Sequence, residues 1–402
     1  MKIGFISYEF PPDTGKGGIG TYVQQIAAAM AACNMEVHVF SGSNERTNEE
    51  RVDGYQVHRI QCSNGYEFRG KVVPVFDQQQ AAGSFSFIES PEINGNAWEI
   101  KKKYPGLPLI VRLHAPDYLV ERLKKKYVPV IAKLRFVAGA LRRLRWDLGY
   151  WRKYVKETDP DYQFVLLADH ITAPSVAMKE WAVKNWSILS GSITVIPNIF
   201  SPSNTLLQIP ISKNNGQNQI IFFGRLNVLK GLVNTSKAMQ KILKEYPGWQ
   251  FKVIGDDGNG PFAGNSMRNW MKQELKPVIR QVHFFDGMMY DDLPASIADA
   301  SIVVLPSLFE SFSYTCAEAM AAGKAIVASN NGGMAMLLEN KQSGLLVNPD
   351  SVNEIYTAVK KLIDDNETRY QLSLNARTRI LSVFNTEKIT AQYKSYYQTI
   401  VN

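Results

Sequence analysis

Cysteine is almost absent. The 402 residues contain three, Cys33, Cys62 and Cys316, far apart and without any CxxC spacing. A disulfide framework and a thiolate zinc site are thereby excluded, and a reducing compartment is expected. No run of about 18 consecutive apolar residues occurs, so no transmembrane helix is expected. The apolar run in the opening MKIGFISYEF is too short for the core of a secretory signal. The sequence therefore predicts a cytoplasmic protein whose only membrane contact is peripheral, at the inner face. Low-complexity tracts and short repeats are also lacking. Acidic pairs are scarce: Asp256-Asp257 and Asp291-Asp292 suit turn and helix-start positions better than a metal-binding loop, so no metal site is expected.

What is present is an ordinary globular composition, 45% hydrophobic and 20% charged, at a length that suggests two or three domains of about 150 residues. Short apolar runs alternate with helix-period segments, the signal for parallel sheets with crossover helices. KIGFIS, VHVFSG, FSFIES, LIVRLH, HITAPS and ITVIPN are expected strands of one α/β unit, and QIIFFGRL, WQFKVIG, VHFFDG, ASIVVLPS, AIVASN and GLLVN of a second. The predicted division is a first domain over 1–200, a Ser/Asn/Pro-rich linker over 201–219, a second domain over 220–385 and a closing helix over 386–402 that returns toward the first domain. Two open parallel sheets in tandem face a cleft, a usual place for a small-molecule site.

The net charge, 45 minus 37 or +8, is not spread evenly. Residues 121–156 hold twelve Lys or Arg against two acids, +10, leaving −2 for the rest. Within them Leu134, Val137, Leu141 and Leu144 share a helical face flanked by Lys133, Arg135, Arg142, Arg143 and Arg145, the pattern of an interfacial helix. An anionic membrane surface or anionic acceptor suits it; packing of the apolar face on the first domain is the plainer alternative. No nucleic-acid motif accompanies the charge, and no nucleic-acid partner is expected.

The most informative stretch is LPSLFESFSYTCAEAMAAG, 305–323, a strand running through a polar turn into a short helix. Free N–H groups over 312–315 (Phe312, Ser313, Tyr314, Thr315) and the helix dipole suit a phosphate. Glu310 and Glu318, beside such a site, suit hydrogen bonds from sugar hydroxyls on either side of a diphosphate. Thr315 and Glu318 also satisfy a T-x-x-E capping box. In FFGRLNVLKG, Arg225 follows a strand and Lys230 precedes a helix; such a pair can clamp a diphosphate.

With these residues in view, the chain resembles the family 4 retaining glycosyltransferases of GT-B architecture, two Rossmann-like domains facing a cleft. GRL…KG, VIGDDG, VVLPSLFESFSYTCAEAMAAG and SGLLVN stand in that family's order and approximate spacing, and the Glu-x7-Glu pattern is the most specific element. The resemblance implies that Glu310 holds the donor sugar, Glu318 contacts the nucleotide ribose, and Arg225 and Lys230 neutralise the diphosphate. Ser313 stands where a glycine is usual and Met336 where a glutamate is usual.

In EFPPDTGKGGIGTYVQQIA, Gly15, Gly17 and Gly20 match G-x-G-x-x-G. About eight residues separate the first glycine from its strand, however, where a dinucleotide turn needs it almost adjacent. Gly17 and Gly18 still allow backbone to approach an anionic ligand, and the resemblance places this loop over the donor phosphates or the acceptor. His114, at the end of LIVRLH, matches the family's donor-sugar-contacting His. Glu89 and Glu92 can contact an acceptor hydroxyl, although solvated surface is the simpler expectation. The combined reading is a metal-independent, retaining glycosyltransferase. It moves a sugar from a nucleotide-diphosphate donor, a co-substrate rather than a cofactor, to a hydroxyl of a glycan or lipid-linked acceptor. Its rivals are an NAD-dependent oxidoreductase and a retaining glycosidase.

Overall fold

The computed structural model describes every residue except 16, 146–148, 152, 214–217, 263, 289–291 and 402. Parts of the linker, of the basic segment and of the Asp291-Asp292 pair lie outside the described residues. The chain forms two α/β units. The first sheet comprises β1 (Lys2–Ser7), β2 (Glu36–Ser43), β3 (Asn48–Val52), β4 (Tyr55–Gln61), β5 (Phe87–Pro91), β6 (Leu109–Arg112), β7 (His170–Ala173) and β8 (Ile193–Val195), in the order β3-β4-β2-β1-β5-β6-β7-β8. The second comprises β9 (Gln219–Phe223), β10 (Gln250–Ile254), β11 (Val282–Phe285), β12 (Ile302–Leu305), β13 (Ala325–Ser329) and β14 (Leu345–Val347), in the order β11-β10-β9-β12-β13-β14. All ladders are parallel except the β3–β4 hairpin. Runs such as Ile302–Leu305 are buried throughout, as strands covered on both faces must be.

Strand order reverses between β1 and β5 in the first sheet and between β9 and β12 in the second. Ligands of open parallel sheets lie beyond the carboxyl ends of strands at these switch points. Arg225 follows β9 and Glu310 follows β12, so the topology of the second sheet gathers these two loops, while Glu9 follows β1 at the switch point of the first.

Two crossings tie the halves together. The closing helix, Thr386–Val401, packs Ile389, Tyr393 and Tyr397 into the first domain's core with Phe5, Tyr22 and Phe87. There Glu89 accepts hydrogen bonds from Tyr22 Oη at 2.5 Å and Tyr397 Oη at 2.8 Å. The buried Arg112 guanidinium lies over the rings of Tyr22 and Tyr393, at 4.9 and 5.6 Å. In the other direction, helix Asp117–Lys124 reaches the second domain: Leu123 and Tyr127 pack on its core, Lys126 pairs with Asp350, and Tyr127 Oη accepts from Asn234 Nδ2 at 3.1 Å.

Several expectations are corrected. Glu89 and Glu92 are not solvated but buried, because aromatic hydroxyls and a backbone N–H saturate them. The linker is not wholly irregular: it includes helix Asn204–Leu207, and Leu206 and Ile209 join the second core. The basic segment does not pack its apolar stripe on the first domain. Helix Val130–Arg142 buries only Ala140, and Leu134 is 56% exposed. Leu144 lies beyond the helix end with φ 55°, so it does not continue the stripe.

Candidate functional site

The second-domain loops interlock through glycines. Gly231 has φ 70°, and a Cβ there would stand 1.8 Å from the Pro306 carbonyl oxygen; only glycine allows that contact. Leu308 N–H then donates to the Leu229 carbonyl at 2.8 Å. From the other side Gly332, φ 77°, would place a Cβ 2.2 Å from the Glu310 carbonyl oxygen, which accepts from Gly333 N–H at 2.6 Å. The loops bearing Lys230 and Glu310 are thus fixed against one another, and the side chains meet: Lys230 Nζ lies 2.5 Å from Glu310 Oε1. Both are partly buried, which strengthens the pair relative to a surface ion pair.

Next to this pair helix Tyr314–Ala321 begins. Its N-cap is Ser313, whose Oγ accepts from Cys316 N–H at 3.3 Å. The Thr315-x-x-Glu318 capping box is therefore not formed; the helix starts two residues earlier than that motif requires. Ser313, in place of the family's glycine, has extended φ/ψ that any residue adopts, and its hydroxyl supplies the cap. The N–H groups of Tyr314 and Thr315 have no partner among the described residues. Phe312 is buried, edge-on to Tyr314 at 5.3 Å. The Tyr314 ring crosses the seam toward Asn198 and Arg112 of the first domain, and burial raises its pKa. The Glu318 carboxyl is buried without a hydrogen-bond donor, and burial alone pushes its pKa up to about 8.

Arg225 is exposed. Its loop is held where Leu226 N–H donates to the Asp256 carbonyl at 2.8 Å. Its guanidinium forms no hydrogen bond or ion pair with a described residue; across the cleft, burial raises the pKa of Glu9, and the charge of Arg225 offsets part of that rise. Asp257 accepts from Arg268 N–H at 2.9 Å, the helix-start role expected of it.

On the first-domain wall His114 is buried. Its N–H donates to both oxygens of Glu92, at 2.8 and 2.9 Å. Nδ1 lies 3.0 Å from the Arg112 carbonyl oxygen, an acceptor only, so Nδ1 carries the proton. Nε2 has no partner. Gly17 is the N-cap of helix Gly18–Ala32, and a side chain on Gly18 would meet nothing within 4 Å. Sequence reasoning missed Glu9, Arg112 and Asn198, because a lone acid before Pro11-Pro12 and a strand-end Arg carry no spacing signal.

Residues 16–203 match the pattern of Glycosyltransferase Family 4, and residues 206–379 that of Glycosyl transferases group 1. The chain belongs to the family 4-like glycosyltransferases of GT-B architecture. This glycosyltransferase is 24% identical over 414 aligned residues to a glycogen synthase of Mycobacterium tuberculosis, covering 99% of this chain and 94% of that protein. Its fold is that of sucrose-phosphate synthase from Thermosynechococcus elongatus, with TM-score 0.76 and 21% identity over 100% and 99% of the two chains. It is also that of Anabaena HepE, crystallised with UDP-glucose, with TM-score 0.66 and 18% identity over 99% and 100%. With membership goes the activity, transfer of a sugar from a nucleotide sugar, and the oxidoreductase and glycosidase readings are set aside.

The Glu318 environment gives a pH-dependent prediction. The folded chain holds that proton to about pH 8, whereas the unfolded chain releases it near 4.5. Stability from this group therefore falls as pH rises between those values. Relative to the parent, Glu318→Gln should gain about 1 kcal/mol or more in unfolding free energy between pH 5 and 8.5. Urea midpoints at the two pH values check this; a difference independent of pH would show that the carboxyl titrates normally.

Proposed function

We propose that this enzyme transfers the sugar with retention of anomeric configuration and without a divalent cation. The observation that carries the reading is the convergence of Lys230, Glu310 and the start of helix Tyr314–Ala321 in one glycine-locked corner of the cleft. The donor diphosphate lies against the free N–H groups at 314 and 315, with Lys230 and Arg225 as its cationic partners in place of a metal ion. Charge developing on the departing diphosphate is met there by donors already in position.

Glu310 and Glu318 flank that position, for the sugar and the ribose respectively. Burial keeps Glu318 protonated to about pH 8, so it can donate to a ribose oxygen as well as accept from a hydroxyl. His114 presents Nε2 as an acceptor for a donor-sugar hydroxyl. Gly17 and Gly18 leave space for backbone to lie over the bound donor. The acceptor hydroxyl comes from the first-domain side and attacks on the face that the diphosphate leaves.

Calorimetry with UDP, GDP and ADP tests the placement. At least one should bind; Lys230→Ala should weaken it tenfold or more, about 1.4 kcal/mol, and Glu318→Ala by a similar factor. Unaltered affinity in both variants would remove the donor from this corner.

The same reading extends to the membrane. Helix Val130–Arg142 exposes Val130, Ile131, Leu134, Phe136 and Leu141 among cations, each worth about 1 kcal/mol near an anionic leaflet. No helix among the described residues is long and apolar enough to span a bilayer, so the contact is peripheral, at the inner face, where a lipid-linked acceptor would be presented. Flotation should recover the enzyme with vesicles containing phosphatidylglycerol but not with pure phosphatidylcholine; indifference to lipid charge would contradict it.

A further inference from the structure

Between β1 and the first helix, the proposed chemistry uses only glycines, yet that loop carries a carboxylate. The backbone of Glu9 is fixed on both sides. Its carbonyl accepts from Ser7 Oγ at 2.9 Å, Tyr8 N–H donates to Asn96 Oδ1 at 2.7 Å, and Phe10 N–H donates to Thr14 Oγ1 at 3.1 Å. Phe10 itself is buried, edge-on to Tyr55 and beneath the Arg59 guanidinium. The Glu9 carboxylate comes to rest beside the start of helix Gly18–Ala32, with Oε2 3.4 Å from where a Cβ on Gly17 would stand.

No described residue donates to that carboxylate. Burial raises the pKa of that carboxyl, and the groups that modulate it are His114 from its own domain, Arg225 from the other domain, and Asp117. His114 Nε2 is buried and unpartnered, and Arg225 is unbonded. Glu9 and His114 Nε2 on one wall and Arg225 on the other, each lacking a side-chain partner among the described residues, describe a site whose hydrogen bonds come from a ligand. Arg225 belongs to the diphosphate side. What arrives at Glu9, on the first-domain side, is the acceptor.

We propose that Glu9 is an acceptor-binding residue that takes a hydrogen bond from a hydroxyl at the reacting end of the acceptor, and that it favours neutral, sugar-like ends over phosphorylated ones. This rests on the donor placement proposed above. A hydroxyl donates to a carboxylate, whereas a phosphate has no proton to offer near neutral pH and is repelled by Glu9 and Asp117 together. In the transfer, the acceptor oxygen bonds to the anomeric carbon as the bond to the diphosphate oxygen breaks, and the hydroxyl proton leaves on that diphosphate. Glu9 orients the hydroxyl and is not the final base. An anion carried elsewhere on the acceptor is free to sit on the basic helix.

The test uses the full chain and the nucleotide sugar that the parent hydrolyses fastest. Methyl α-glucoside, methyl α-mannoside and maltose serve as neutral acceptors, glucose 6-phosphate and inositol 1-phosphate as anionic ones. The parent should transfer to at least one neutral acceptor and prefer it. In Glu9→Gln, the ratio of transfer to donor hydrolysis should fall at least 30-fold with acceptor KM raised, Glu9→Asp should lie between, and the nucleotide Kd should stay within threefold. An unchanged ratio in Glu9→Gln overturns the proposal, as does parental transfer to phosphorylated acceptors alone or to no neutral one. A fall in nucleotide affinity matching the fall in transfer would assign Glu9 to the donor instead. A parent that hydrolyses and transfers from no nucleotide sugar would defeat the glycosyltransfer mechanism itself, a separate result.

Discussion

The active corner depends on backbone contacts too close for any side chain. Gly231 against Pro306 and Gly332 against Glu310 lock three loops from β9, β12 and β13 into one body, and the Lys230–Glu310 pair is the consequence. The pair has a second use. With no donor bound, each charge satisfies the other at modest desolvation cost. On the proposed placement, a diphosphate would offer Lys230 a stronger partner and a sugar would offer Glu310 hydroxyl donors, so donor binding would exchange one set of charge-assisted contacts for another without leaving a buried charge unpaired.

The first domain solves a different problem, since its charges are buried before any ligand arrives. Glu89 and Arg112 sit in its core with Tyr22, Tyr393 and Tyr397, two of which come from the closing helix. A polar network of this kind is stable only when the helix is in place. The chain end therefore belongs energetically to the first domain although it follows the second. Tyr314 reaches the same network from the far side of the seam, so the start of helix Tyr314–Ala321 is mechanically continuous with the first-domain core. Helix Asp117–Lys124 makes the return crossing beside Lys230.

Much of this was legible in the sequence, for physical reasons. Strands buried on both faces are continuous apolar runs, and the twelve expected ones are present. The β3–β4 hairpin was not anticipated, because NEERV is a charged edge strand and only the Asp53-Gly54 turn betrays it. That Lys230 and Glu310 come together was legible because strand-end loops of a parallel sheet converge by topology. What spacing does not reveal is side-chain environment. Glu89 and Glu92 look like surface acids until tyrosines more than 60 and 300 residues away in sequence are seen to bond Glu89. Glu9 has no motif at all and is singled out only by what surrounds it. Of the expected stripe Leu134, Val137, Leu141 and Leu144, the first three lie on helix Val130–Arg142 and Leu144 does not; whether a neighbour covers the stripe is a fact of tertiary structure.

The most direct measurement is a crystal structure of the enzyme with a nucleoside diphosphate and no added metal. The account predicts the diphosphate on the N–H groups at 314 and 315, with Lys230 swung from Glu310 onto a phosphate oxygen and Glu318 at the ribose. A diphosphate bound elsewhere, or bound here with the Lys230–Glu310 pair intact, would contradict it.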